Sequence, residues 1–269
     1  MDAIRDLGEL NDPLILFGGP YSNLQALEAL LSKAREYGIE TKHIISAGDV
    51  VAYCANGQEC VDLIRDANIH VVAGNCEQQL ALEADECGCG FEEGSTCSIL
   101  SHGWYPHALN TVSQDAKNWM GMLPRAIIFK HCGKSYAVIH GGVSDISKFL
   151  WSTSAEEEFR REISAFEGSF DCIFAAHSGI AFERRFDAWD WVNVGAIGMP
   201  ENDGDPNTRF VLLQNGKVSI KRLAYDFESA AKSMEAAGLT QGYETALRTG
   251  YWPSEDVLPI ELRKQSRAG

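Results

Sequence analysis

Four short apolar runs in this chain each lead into a residue able to bind a cation. Ile44 to Ala47 runs into Gly48-Asp49, Ile69 to Ala73 into Gly74-Asn75, Ser135 to Ile139 into His140-Gly141-Gly142, and Cys172 to Ala175 toward His177. One carboxylate, one amide oxygen and two imidazoles form a mixed O/N set of the kind that holds Mn, Fe or Zn while leaving positions open for water and substrate. Taken alone, Gly48-Asp49 reads as an ordinary turn, in which Gly relieves the backbone and Asp caps nearby amides. The repetition at four run ends carries the expectation: ligands bind at the carboxyl ends of strands in open α/β sheets, so these four residues predict a metal site at one edge.

The elements that would position them follow a strand-loop-helix rhythm. Leu14 to Phe17 reads as a strand and Gly18-Gly19-Pro20-Tyr21 as the turn after it; Ser22 caps a helix with Gln25 as its capping-box partner. The apolar stripe of that helix is Leu24, Leu27, Leu30, Leu31, Ala34 and Tyr37, and Gly38 ends it. The Asp49 strand follows. Asn56 and Glu59 then open a second helix that leads to the Asn75 strand, giving a βαβαβ order with parallel strands. From Glu83 to Asn110 the pattern breaks into a segment rich in Cys, Gly and Glu, read as a lid over the site. Helices follow at about Ser113 to Met122 and Ala155 to Phe166, with strands at Ala126 to Lys130 and Ser135 to Ile139. Further short strands, a helix near Phe227 to Ala237 and a tail over 240–269 complete a single domain.

Composition narrows the function classes. The chain has 269 residues, 45% of them apolar, and a formal charge of −15. That charge argues against a nucleic-acid duplex as partner, because such binding rests on Lys and Arg neutralising phosphates. No apolar run reaches the length of a membrane span, and Met1 to Asn11 has no signal-peptide pattern, so the expectation is a cytoplasmic protein with reduced thiols. Cys54, Cys60, Cys132 and Cys172 fall within or beside apolar segments and read as small core residues. His43, His70 and His131 read as surface or edge histidines away from the site, whereas His102 and His107 lie in the lid, within reach of a substrate.

The ordered set Gly48-Asp49, Gly74-Asn75, His140-Gly141-Gly142, Ala176-His177 and Asn193-Val194-Gly195-Ala196-Ile197-Gly198 resembles the calcineurin-like metallophosphoesterase family, in particular its bacterial phosphatase and diadenosine-tetraphosphatase-like branch. The resemblance runs from about Leu14 to Leu223. It implies a four-layered α-β-β-α sandwich carrying two metals. Asp49, Asn75, His140 and His177 match the complete ligand set of one metal. The other metal's set is broken: Gly19 and Tyr21 stand where the first motif supplies Asp and His, and Gly179 where the fourth motif ends in His. The losses fall on one metal alone, which implies a site reduced to a single divalent ion.

Several roles follow from that alignment. Gly18, Gly19, Tyr21 and Asn23 are candidates for holding a phosphate, the glycines beside a helix N-terminus that favours anions. Tyr21 either projects its hydroxyl into the vacated metal position or merely fills it. Cys76 replaces the family's His after the Asn, a residue that assists phosphoryl chemistry, so Asp49, Asn75, Cys76 and His140 are the candidate catalytic residues. Cys87, Cys89 and Cys97 either bind a second metal or are lid cysteines packed together. Two functions fit: a phosphoesterase acting on a small phosphate ester or nucleotide with one metal, or a non-catalytic relative that binds metal or phosphate for sensing or partner binding.

Overall fold

A computed structural model describes residues 4–264. In chain order the elements are β1 (Ile4–Glu9), β2 (Leu14–Phe17), α1 (Leu24–Glu36), β3 (Ile44–Ser46), α2 (Gly57–Asp66), β4 (His70–Val71), α3 (Asn75–Leu82), α4 (Thr96–Thr111), α5 (Gln114–Met120), β5 (Ala126–His131), β6 (Lys134–Val138), α6 (Glu156–Ser164), β7 (Cys172–Ala175), β8 (Phe182–Arg185), β9 (Asp190–Asn193), β10 (Thr208–Gln214), β11 (Lys217–Leu223), α7 (Phe227–Ala236) and α8 (Tyr243–Thr249).

The strands form two sheets, one ordered β1-β5-β6-β7-β9-β8 and the other β11-β10-β2-β3-β4. Strands β2, β3 and β4 run parallel, with Ile15 opposite Ile44 and Ser46 opposite Val71; β6, β7 and β9 run parallel in the first sheet. Strands β2, β3 and β7 are buried on both faces, which explains why they read as unbroken apolar runs rather than alternations. Strand β2 shows this residue by residue: Leu14 and Leu16 point toward the other sheet, while Ile15 and Phe17 point toward the helices.

Between the sheets, Leu16, Ile45 and Val211 pack with Phe129, Val138, Phe174 and Val192. Outside the second sheet, α1, α2, α7 and α8 contribute Leu27, Leu30, Val61, Ile64, Met234 and Leu247 to one core; outside the first, α6 brings Phe159 against Trp191 and Ile173. The result is the expected four-layered sandwich of helices, two sheets and helix.

Local details depart from the sequence expectations for physical reasons. The cap of α1 is Asn23, not Ser22: the Asn23 Oδ1 accepts from the Ala26 amide at 3.1 Å, while the Ser22 hydroxyl accepts from the Ala52 amide at 3.2 Å. At α2, Asn56 stands at the cap position, yet its side chain donates to Glu59 instead of accepting a backbone amide. Strand β1 escaped the sequence reading because its residues are largely exposed and show no alternation; it pairs in parallel with β5, Ile4 opposite Ala126.

The segment read as an irregular lid is half helix. Ser95 caps α4 through the Ser98 amide, and Cys97, Ser101, Trp104, Tyr105 and Ala108 form its buried stripe. Gly103 and Pro106 inside the helix hid that periodicity. His43 and His131 are buried, the His131 Nδ1 donating to the Leu10 carbonyl at 2.6 Å, so they are not surface residues. Of the expected tail, residues 265–269 lie outside the described residues.

Candidate metal centre

The two sheets each supply two of the four predicted ligands. Asp49 follows β3 and Asn75 opens α3 directly after β4; His140 and His177 follow β6 and β7. These are carboxyl ends of parallel strands in facing sheets, and they converge where the sheets meet.

The backbone at this junction is shaped by close approach. Gly48 (φ +93) and Asp49 (φ +55) are both left-handed, which turns the chain sharply out of β3. A Cβ on Gly74 would lie 2.2 Å from the Asp49 Oδ1, so glycine there is required by the carboxylate itself. Glu77 locks this turn: its carboxylate accepts the amides of Asp49, Val50 and Gly74, each at 2.8 Å. On the other sheet, the His140 carbonyl accepts the amides of Ala176 (2.8 Å) and His177 (2.9 Å), tying the two histidine-bearing strand ends together. Behind them, the Asn193 Nδ2 donates to the Ser178 hydroxyl at 2.7 Å, which agrees with a structural role for that loop.

The side chains meet at the His140 ring. Its Nδ1 lies 2.7 Å from the Ala47 carbonyl, which can only accept, so Nδ1 carries a proton and Nε2 faces the cluster. That Nε2 is 3.1 Å from Asn75 Oδ1, 3.0 Å from His177 Nδ1 and 3.3 Å from Asp49 Oδ2. The Asn75 amide is oriented by its Nδ2, which donates to the Cys87 carbonyl at 2.9 Å and has the Cys89 and Cys76 sulfurs at 3.4 and 3.5 Å. Four lone-pair atoms from four elements thus point at one place, and all four residues are buried. Among the described residues, Asp49, His140 and His177 are the group of ionisable side chains whose ligand atoms lie within 4.8 Å of one another.

Electrostatics follow from that geometry. Burial opposes the charged form of His140, but the Asp49 carboxylate outweighs it and raises the imidazole pKa. Burial likewise works against ionised Asp49, and His140 overcomes it, so the carboxyl falls below its ordinary range. His177 drops to about 3 through burial and then the neighbouring His140 charge. Glu77 rises to about 7 because it is buried and faces Asp49. With Nδ1 already protonated, the raised pKa favours a second proton, on the His140 Nε2 among acceptors. A divalent cation suits this donor set: it replaces that proton and satisfies all four lone pairs at once.

The remaining candidates sort by position. A cavity of about 60 Å³ borders the cluster and is lined in part by Tyr21, Asp49, Cys89, His177 and Gly179. Tyr21 is the one expected phosphate-binding residue that faces it. Asn23 is consumed as the α1 cap and by donating to the Gly198 carbonyl at 3.1 Å, and a Cβ on Gly18 would lie 2.1 Å from the Gly195 carbonyl, so both serve packing. Gly19 lies beneath the Tyr21 ring, where a Cβ would be 2.1 Å from Cε1. Cys76 is buried behind Asn75; its amide donates to Asp49 Oδ1 at 3.2 Å, which makes it a backbone support of the ligand.

Cys87, Cys89 and Cys97 do not form a ligand group. Cys87 and Cys89 surround Asn75, while Cys97 sits on α4 beside Ser254 and Val257. His102 is exposed, and His107 contacts the Ala55 carbonyl at 3.2 Å; neither lines the cavity. Sequence reasoning missed Glu77, although its place three residues into α3 marks it as an N-terminal cap partner. It also missed one wall. Trp252, Pro253, Ser254 and Val257 line one side of the cavity, held by bonds from the Trp252 Nε1 to the Pro200 carbonyl (2.6 Å) and from the Thr96 amide to Asp256 (2.9 Å).

Comparison with known proteins agrees with this fold. An uncharacterized protein of Methanocaldococcus jannaschii, MJ0912, is 28% identical over 229 residues, covering 78% of this chain and 86% of its own. A metallophosphoesterase structure from Sphaerobacter thermophilus superimposes with a TM-score of 0.69 at 21% identity, over 90% of this chain and 100% of that one. The hypothetical protein PH1004 from Pyrococcus horikoshii OT3 gives 0.73 at 15% identity, over 88% and 98%. The family model described as the calcineurin-like phosphoesterase superfamily domain matches residues 21–216, and the chain belongs to that superfamily.

Proposed function

We propose that this protein is a metal-dependent phosphoric ester hydrolase that acts on a small phosphorylated molecule through one divalent transition ion, Mn, Fe or Zn, held by Asp49, Asn75, His140 and His177. The observation that carries this reading is the convergence of their four lone-pair atoms, with the His140 tautomer fixed by the Ala47 carbonyl. An ion bound there supplies Lewis acidity to a phosphoryl oxygen and lowers the pKa of water.

The rest is done by the chain. Asp49 contributes the negative charge and is held in place through Glu77 and the Cys76 amide; Asn75 is oriented by the Cys87 carbonyl; His140 presents Nε2 because Nδ1 is occupied. A single ion is supported by the Tyr21 ring, which fills the space over Gly19 and reaches toward Gly179, the positions at which the family resemblance places a second set of ligands. All eight cysteines are unpaired, which fits work in the reducing cytoplasm.

The Tyr21 ring standing where a second ligand set is expected favours a second reading, a metal- or phosphate-binding relative without turnover. A screen of small phosphate esters and nucleotides on metal-loaded protein, with Asp49→Ala and His140→Ala alongside, decides between them. Hydrolysis that disappears in both variants is expected. Hydrolysis surviving both, or none in the wild type, would contradict the hydrolase reading.

A further inference from the structure

Tyr21 is an aromatic residue with a left-handed backbone, φ +52, a conformation rarely adopted by bulky side chains and found where surrounding structure enforces it. The enforcement is visible. The Tyr21 amide donates to the Asp49 carbonyl at 3.2 Å, the next amide, of Ser22, donates to the Val50 carbonyl at 2.9 Å, and the Cys54 amide donates to the Tyr21 carbonyl at 3.1 Å. The ring is fixed as well. It meets Tyr53 edge-on at 4.9 Å, and its path is cleared by glycines: a Cβ on Gly19 would lie 2.1 Å from Cε1, and one on Gly198 would lie 2.8 Å from the Tyr21 Cβ.

This arrangement delivers the hydroxyl to the cavity wall that Tyr21 shares with Asp49, His177 and Gly179, 3.7 Å from where a Cβ on Gly179 would stand. Among the described residues no partner hydrogen-bonds that hydroxyl. The cavity lining contains no Lys or Arg. Apart from whatever cation the ligand cluster holds, an oxyanion entering it meets hydroxyl donors, those of Tyr21, Tyr53, Ser178, Tyr243 and Ser254, and a buried oxyanion needs such hydrogen bonds.

We propose that the Tyr21 hydroxyl is a substrate-binding donor: it hydrogen-bonds a phosphoryl oxygen lying beside Asp49 and His177. The inference rests on the phosphate-ester reading above, and its test does not require turnover. Inorganic phosphate is titrated into Mn-loaded wild-type and Tyr21→Phe proteins by calorimetry, with metal per chain and melting temperature measured on the same samples. Loss of one charge-assisted hydrogen bond predicts a dissociation constant raised about tenfold or more, with metal content and melting temperature unchanged.

An equal dissociation constant in the two proteins overturns the proposal. A fall in metal content also overturns it, since the hydroxyl would then serve the ion. A measurement on the wild type alone guards against a variant that folds poorly: the Cζ resonance of carbon-labelled Tyr21 should shift on adding phosphate, and no shift at saturation rejects the contact. Phosphate binding that depends on Tyr21 in a protein that hydrolyses nothing would sustain this inference while removing the hydrolase reading.

Discussion

At the scale of single residues, the centre is a competition between a proton and a cation for the same lone pairs. Asp49 raises the His140 pKa above the ordinary imidazole value, so a proton on Nε2 is the native occupant of the cluster at mildly acidic pH. Metal must displace it. His177 does not compete, because burial and the His140 charge lower it to about 3. The sign follows directly: a ligand with a raised pKa binds metal fully only above that raised value, and affinity falls about tenfold per pH unit below it. Metal binding followed calorimetrically in buffers of different ionisation enthalpy should release about one proton or more per ion near pH 6, from His140 and in part from Glu77, and fewer as pH rises. Proton release that stays at zero across this window would mean that His140 is not a ligand.

At the scale of elements, Glu77 links the end of β3 to the start of α3 through three amides. Its carboxylate has two acceptor oxygens, whereas a glutamine has one and turns an NH2 toward a buried N–H. Glu77→Gln should therefore cost ~1–3 kcal/mol in urea unfolding of the metal-free protein and weaken metal binding roughly 10–100-fold, as for other residues that orient ligands. Unchanged stability and affinity would show that the turn holds Asp49 without this clamp.

The elements also show what a sequence discloses. Ile44 to Ala47, Ile69 to Ala73 and Cys172 to Ala175 were legible because strands buried on both faces are continuous apolar runs, and the residues ending them have little choice of chemistry. The α1 cap was misplaced by one position because Ser22 and Asn23 are both good caps; only the fold shows that Ser22 is turned to Ala52. Strand β1 and helix α4 were hidden, the first by its exposed face, the second by Gly103 and Pro106. The cavity wall at Trp252 to Val257 was unreadable because its bonds to Pro200 and Thr96 join segments remote in the chain.

At the scale of the whole molecule, the two-sheet sandwich explains why the centre exists at all. Neither sheet carries enough ligands: β3 and β4 lead to a carboxylate and an amide, β6 and β7 to two imidazoles. The apolar layer between the sheets, built by residues such as Leu16, Phe129 and Phe174, sets their register and so closes the ligand set. A cation bound between them is correspondingly coupled to the packing of the whole domain. The measurement that tests this most directly is metal content per chain, by elemental analysis of protein purified without chelator and supplied with Mn, Fe or Zn, beside the Asp49→Ala variant. One ion per wild-type chain and none in the variant is the predicted result. No ion, two ions, or an ion that survives the loss of Asp49 would contradict a single centre built by the four strand ends.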